Sequence, residues 1–184
     1  VPLVMAVNRA ADIRRAIRFK ADNAPIQLIL VGAAEGWMVA EELADADIPV
    51  IVDPLEDLPS SFDSLGASLQ NAARLQDAGV DVAYSTAPTA DGYFNARLVP
   101  QHAGNAVANG VPWDEAFRAI TLTPAEIYGV GDRYGALAPG YAGDVVVWDG
   151  DPLEVMSAPV AVLIDGEPTA LESRQTQLRD RYIN

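Results

Sequence analysis

The chain has 184 residues, half of them apolar, with one histidine, one lysine, eleven arginines, no cysteine and a formal charge of −14. The missing cysteines exclude disulfides, cysteine–zinc sites, iron–sulfur clusters and thiol nucleophiles, and the lone His102 excludes any multi-histidine metal site. So acidic a chain is not expected to neutralise a row of phosphates, which speaks against nucleic acid as a partner.

Val1 to Val7 reads as a buried strand with no lead-in, as if cut from a longer protein. The sequence shows neither a signal peptide nor an apolar run of about 18 residues, so no membrane span is expected. The absence of cysteine fits either side of a bacterial membrane. Ala10 to Asp22 follows as a helix with Ile13, Ala16 and Ile17 on one face and Arg14, Arg15 and Arg18 on the other.

Pro25 breaks the pattern, and Ile26 to Val31 predicts a second strand that Gly32 ends. Glu35 to Asp45 predicts a helix with Trp37, Ala40, Leu43 and Ala44 inward, and Pro49 to Val52 a third strand closed by Asp53-Pro54. Phe62, Leu65, Leu69 and Ala72 stand at helical spacing, so one helix is expected there, ended by Gly79 beyond its C-cap. Val80 to Tyr84 is a fourth strand. Strands alternating with helices of this length predict βαβ units and a parallel sheet.

The alternation stops after Thr86. Residues 87–93 read as a loop and 94–130 carry helical signals, with Thr123-Pro124-Ala125-Glu126 as a predicted capping box. From Gly135 short strands take over, at Asp144 to Trp148 and Val160 to Ile164, with Asp165-Gly166 as a tight turn. The tail from Ser173 to Asn184 is polar and Arg-rich, helical or extended.

The stretch Ala119-Ile-Thr-Leu-Thr-Pro-Ala-Glu-Ile-Tyr-Gly-Val130 runs into Asp132-Arg-Tyr-Gly-Ala-Leu-Ala-Pro-Gly-Tyr-Ala-Gly-Asp-Val-Val-Val-Trp148. Together they resemble the C-terminal signature of the amidohydrolase superfamily, in its imidazolonepropionase-like group, with Gly143 where the family usually has Ala. Asp149 to Glu154, Asp165-Gly166 and Ser173 to Tyr182 extend the match. The resemblance implies an α/β fold: the second half of a (β/α)8 TIM-type barrel, its four strands being barrel strands 5 to 8, followed by a small β-sandwich segment. The corresponding regions are 1–134 for the partial barrel, 135–172 for the β-sandwich segment and 173–184 for the tail. The alternative from pattern alone is a complete small α/β sheet with a β appendage.

A barrel places its chemistry at the carboxyl ends of the strands. Here those positions are Asn8, Gly32 to Glu35, Asp53, and Ser85 with Thr86. The resemblance implies hydrolysis of a cyclic or linear amide C–N bond in a small-molecule substrate. It also implies zinc or another divalent ion, held in this half by a His on strand 5, a His on strand 6 and an Asp on strand 8. Asn8, Ala33-Ala34-Glu35 and Ser85 stand there instead, so no metal ligand is assigned and a catalytically silent barrel with a binding or assembly role is the alternative.

Asp53 and Glu35 are the candidate catalytic carboxylates, and Asn8, Ser85 and Thr86 the candidate substrate-binding residues. Each has a structural reading too: an Asx turn for Asp53, helix-terminus charge for Glu35, an N-cap for Asn8 and a cap-like turn for Ser85-Thr86. Asp53, Glu56, Asp57 and Asp63 read as a solvated acidic loop, since they lack the Gly and alternation of an EF-hand. His102, on a helix beyond the fourth strand, is expected to lie outside the rim. The isolated chain is expected to hydrolyse no amide. Its first and fourth strands are expected to be open edges that recruit the remaining N-terminal half of the barrel or another copy of the chain.

Overall fold

The computed structural model describes residues 1–59, 61–86 and 95–183. Four strands, β1 (Leu3–Val7), β2 (Leu28–Gly32), β3 (Val50–Val52) and β4 (Val82–Tyr84), form one parallel sheet in chain order. Met5 registers with Leu30, Leu30 with Val50, and Val50 with Val82. That row faces the helices α1 (Ala10–Asp22), α2 (Ala40–Asp45) and α3 (Asn71–Asp77), and with Ile13, Leu43 and Leu75 it makes the main core. The alternate row, Ala6, Val31, Ile51 and Ala83, faces the other side, and Asn8, Asp53 and Ser85 continue its two-residue period past the strand ends. This is the α/β arrangement of half a TIM-type barrel.

After β4 come α4 (Val99–Ala108), α5 (Trp113–Arg118) and α6 (Leu122–Ile127). An antiparallel sheet of β5 (Val145–Trp148), β6 (Pro159–Ile164) and β7 (Glu167–Thr169) follows, and α7 (Arg174–Ile183) ends the described chain. The loop expected at 87–93 lies outside the described residues.

Local signals carry several of these elements. Gly79, at φ +90°, closes α3 in a Schellman motif, its N–H bonding to Gln76 O and the Val80 N–H to Leu75 O. Asp165 and Gly166 both take positive φ and turn β6 into β7. Ser173 caps α7 reciprocally: its hydroxyl accepts from the Thr176 N–H, and its own N–H donates to Thr176 Oγ1.

Several expectations need correction. Residues 62–78 are not one helix: a short 3-10 turn at Phe62–Ser64 is separated from α3, and Phe62 and Leu65 are exposed. The predicted capping box does not form, because α6 starts two residues early with Thr121 as its N-cap and no side-chain cap bond. Thr121 instead donates its hydroxyl back to Phe117 O. Asn8 does not cap α1; Arg9 holds that position, and the Ala10 N–H goes to a carboxylate of another element. Finally, β4 is no open edge: its three residues are buried, and the Tyr84 N–H donates to Ala119 O. β1, read from the sequence as a buried strand, has no buried residue, and with Leu3, Val4 and Ala6 exposed it does remain an open edge.

Candidate functional site

The carboxyl ends of the parallel strands carry two groups of polar side chains. At β1 and β2, the backbone of Asn8 accepts from the Glu35 N–H at 2.9 Å, and Glu35 Oε2 accepts from the Ala10 N–H at 2.8 Å. Glu35 thus serves the donors at the start of α1, a favourable place for a carboxylate, from the turn after β2: the helix expected from Glu35 to Asp45 is instead a 3-10 turn at Gly36–Met38 followed by α2 from Ala40. Asn8 lies over Gly32, where a Cβ would collide with its Oδ1; with φ at +94°, only glycine fits there without strain. A cavity of about 540 Å³ opens beside Asn8, lined also by Arg9, Asp12 and Arg15.

At β3 and β4 the second group is tighter. Asp53 Oδ1 accepts the Leu55 N–H at 2.9 Å, the Asx turn read from the sequence, and lies 2.8 Å from His102 Nδ1. An ionised carboxylate can only accept, so Nδ1 carries the proton in this bond. Both side chains are about nine-tenths buried. Ser85 is placed next to them along the sheet, its N–H donating to Val52 O, the residue before Asp53. Thr86 follows at the same strand end. Among the described residues, no hydrogen bond joins Asn8 or Glu35 to Asp53 or His102.

His102 is the correction here, since it was expected to face away from the rim. His102, Ala103 and Ala106 form the buried stripe of α4. Two alanines let the helix approach β4 closely, and the turn before them brings His102 over the end of β3. Gly104 meets the Leu153 carbonyl so closely that a Cβ would clash, which holds the same helix against the loop after β5. The Ala103/Ala106 spacing was the one sequence signal for which face of α4 packs inward; nothing in the sequence pointed to Asp53 as the partner.

Two neighbouring groups are perturbed. Burial, and secondarily the Asp53 charge, raise the half-buried Glu56 carboxyl above the ordinary carboxylate range. Burial, and secondarily Glu115, push the Tyr84 phenol up, so it stays protonated and donates to Gln76 Oε1 at 3.0 Å. A raised carboxyl favours folding below its unfolded pKa, and that contribution is lost as pH rises through the folded value. Glu56→Gln is therefore expected to raise the melting temperature at pH 7, with the advantage fading toward about pH 4 and below, where the unfolded Glu is also protonated. Thermal melts of both proteins across that range check it; an advantage that persists unchanged in acid would contradict it.

A family model described as the amidohydrolase family matches residues 20–172. The chain belongs to the amidohydrolase family. Over 73 residues, 40% of this chain and 7% of the relative, it is 43% identical to amidohydrolase tasK of Hapsidospora irregularis. A solved amidohydrolase from Thermotoga maritima superposes with a TM-score of 0.84 at 29% identity, covering 92% of this chain and 43% of that one. An adenosine deaminase from Xanthomonas campestris with bound zinc matches the fold at TM-score 0.66 and 20% identity, over 98% of this chain and 51% of its own. An atrazine chlorohydrolase from Arthrobacter aurescens, complexed with zinc, does so at 0.66 and 19%, over 98% and 48%. This amidohydrolase chain thus spans about half or less of the length of these relatives.

The residues of this amidohydrolase chain do not fit the divalent ion that the family implies. Where the resemblance implies ligands stand Asn8, the segment Ala33-Ala34-Glu35 and Ser85, and the one carboxylate among them, Glu35, already accepts the Ala10 N–H. Asp53 Oδ1 already takes two donors. Among the described residues no three His, Asp or Glu side chains are grouped to hold a metal.

Proposed function

We propose that the protein carrying this chain is a hydrolase that cleaves an amide-type C–N bond, cyclic or linear, in a small molecule. The observation that supports it best is the buried Asp53 carboxylate, fixed by two donors at the carboxyl end of β3 in an amidohydrolase-family chain. In this reading Asp53 supplies the fixed negative charge that the proton transfers at the rim need, and Glu35 is a second rim carboxylate that also orders the β1–α1 junction. Asn8, Ser85 and Thr86 supply polar contacts to the substrate. The exposed outer side of β1 receives the rest of the barrel or another copy of the chain. Likeness of the 119–148 signature to the imidazolonepropionase-like group supports a cyclic amide.

A second reading is favoured by the strand-end residues themselves: lacking a metal-ligand set in this half, the barrel binds its small molecule without turning it over. Incubating the full protein with a panel of cyclic and linear amides and measuring released amine or opened ring separates the two. Turnover of at least one member is expected; saturable binding without product across the panel would favour the silent barrel.

A further inference from the structure

We infer that His102 is the general base of this site and that Asp53 is its positioning residue. The inference rests on Asp53 belonging to the site, and it gives the lone histidine a catalytic part.

Three observations converge. First, Asp53 Oδ1 stands 2.8 Å from Nδ1, and the pair bridges two elements 49 residues apart in the chain, so the ring is held in one orientation. Second, that bond places the proton of the neutral ring on Nδ1, which leaves Nε2 as a bare acceptor. Third, Nε2 has no hydrogen-bond partner among the described residues, yet no buried side-chain nitrogen or oxygen of those residues is left unpaired. Although His102 is only 8% exposed, Nε2 therefore sits at the solvent boundary. A ring oriented through one nitrogen, with the other reaching solvent, is the arrangement a general base requires.

A pair serving only to tie β3 to α4 would have no need to leave its second nitrogen bare at the boundary. The aliphatic side chains that fill the rest of the α4 stripe tie it equally well. In the proposed step, Nε2 takes one proton from a water molecule as the water oxygen bonds to the amide carbonyl carbon. The imidazolium then returns that proton to the leaving nitrogen as the C–N bond breaks, so the products are a carboxylic acid and an amine. Asp53 stays ionised throughout and steadies the cationic ring.

Three measurements on the full protein decide it. Diethyl pyrocarbonate attacks an unprotonated, reachable imidazole nitrogen, and His102 is the sole histidine of the tryptic peptide 98–118. Under native conditions this peptide is expected to gain one carbethoxy group. Long-range nitrogen–proton spectra, with His102→Asn to assign the signal, are expected to show the proton on Nδ1. Protection of the peptide until the protein is unfolded, or a proton on Nε2, would overturn the inference whatever the protein hydrolyses.

In the third measurement, the side-chain amide introduced by His102→Asn replaces the Nδ1 bond to Asp53 but offers no atom at the place of Nε2. Hydrolysis of a substrate found in the amide panel is expected to fall by about 10²–10⁴-fold with the melting temperature little changed. Unaltered turnover in His102→Asn would also overturn it. If wild-type protein turns over no amide while Nε2 proves bare and reactive, the reading of the reaction fails and the role of His102 as its base fails with it, while the orientation of the ring by Asp53 stands.

Discussion

Replacing Asp53 with Asn in the full protein is expected to lower amide hydrolysis by about 10²–10⁴-fold while leaving the fold nearly intact. The Asn side-chain carbonyl still accepts the Leu55 N–H, so the turn after β3 survives. What disappears is the negative charge that steadies a protonated His102 ring across the 2.8 Å bond. Asp53→Ala removes more, because the buried Nδ1–H then has no acceptor, which costs about 1–3 kcal/mol. The Leu55 N–H adds little to that cost, since water can reach it. The comparison separates chemistry from stability: Asn and Ala are expected to lose similar activity but to differ in urea midpoint. Activity of Asp53→Asn within a few-fold of wild type would remove Asp53 from the chemistry and leave it as a turn residue.

The largest effect on stability is expected from Leu30→Ala, at about 2–5 kcal/mol. Leu30 is fully buried in the middle of β2, with Met5 in register on one side and Val50 on the other. Its side chain points into the layer between sheet and helices that Ile13, Leu43 and Leu75 also fill. Truncation leaves a cavity there that neighbours anchored on three strands and three helices can close only in part, so the lost contacts are not regained. Urea unfolding checks this: the midpoint is expected to drop with the slope unchanged, as for a loss of stability that leaves the exposed surface of unfolding the same. A shift under about 1 kcal/mol would mean that the sheet and helices slide together, and that the packing is less rigid than the register implies.

The same two residues mark how far the sequence alone reaches. Helix α1 occupies Ala10–Asp22 as its amphipathic spacing predicts, and β1 to β6 lie where the short apolar runs place them, to within two residues, whereas β7, Glu167–Thr169, has no such run to mark it. The Gly79 and Asp165-Gly166 turns follow from backbone conformations that few other residues adopt. These signals act over one or two turns of chain, which is why they can be read without the fold. The family resemblance of residues 119–148 was legible for a different reason, a long multi-part signature. Asp53 was legible too, as a polar residue at the end of an apolar strand.

Other features depend on packing between distant segments. Phe62 and Leu65 have helical spacing but stay exposed, because spacing shows that a face could be buried and not that another surface is there to bury it. The start of α1 is served by Glu35, 25 residues away, rather than by its own cap. The Asp53–His102 pair exists only because Ala103 and Ala106 draw α4 onto β4, which carries a helix residue across to the end of a strand 49 positions earlier. Local chemistry thus determined the elements, while the close approach of helix to sheet decided which of their polar residues meet.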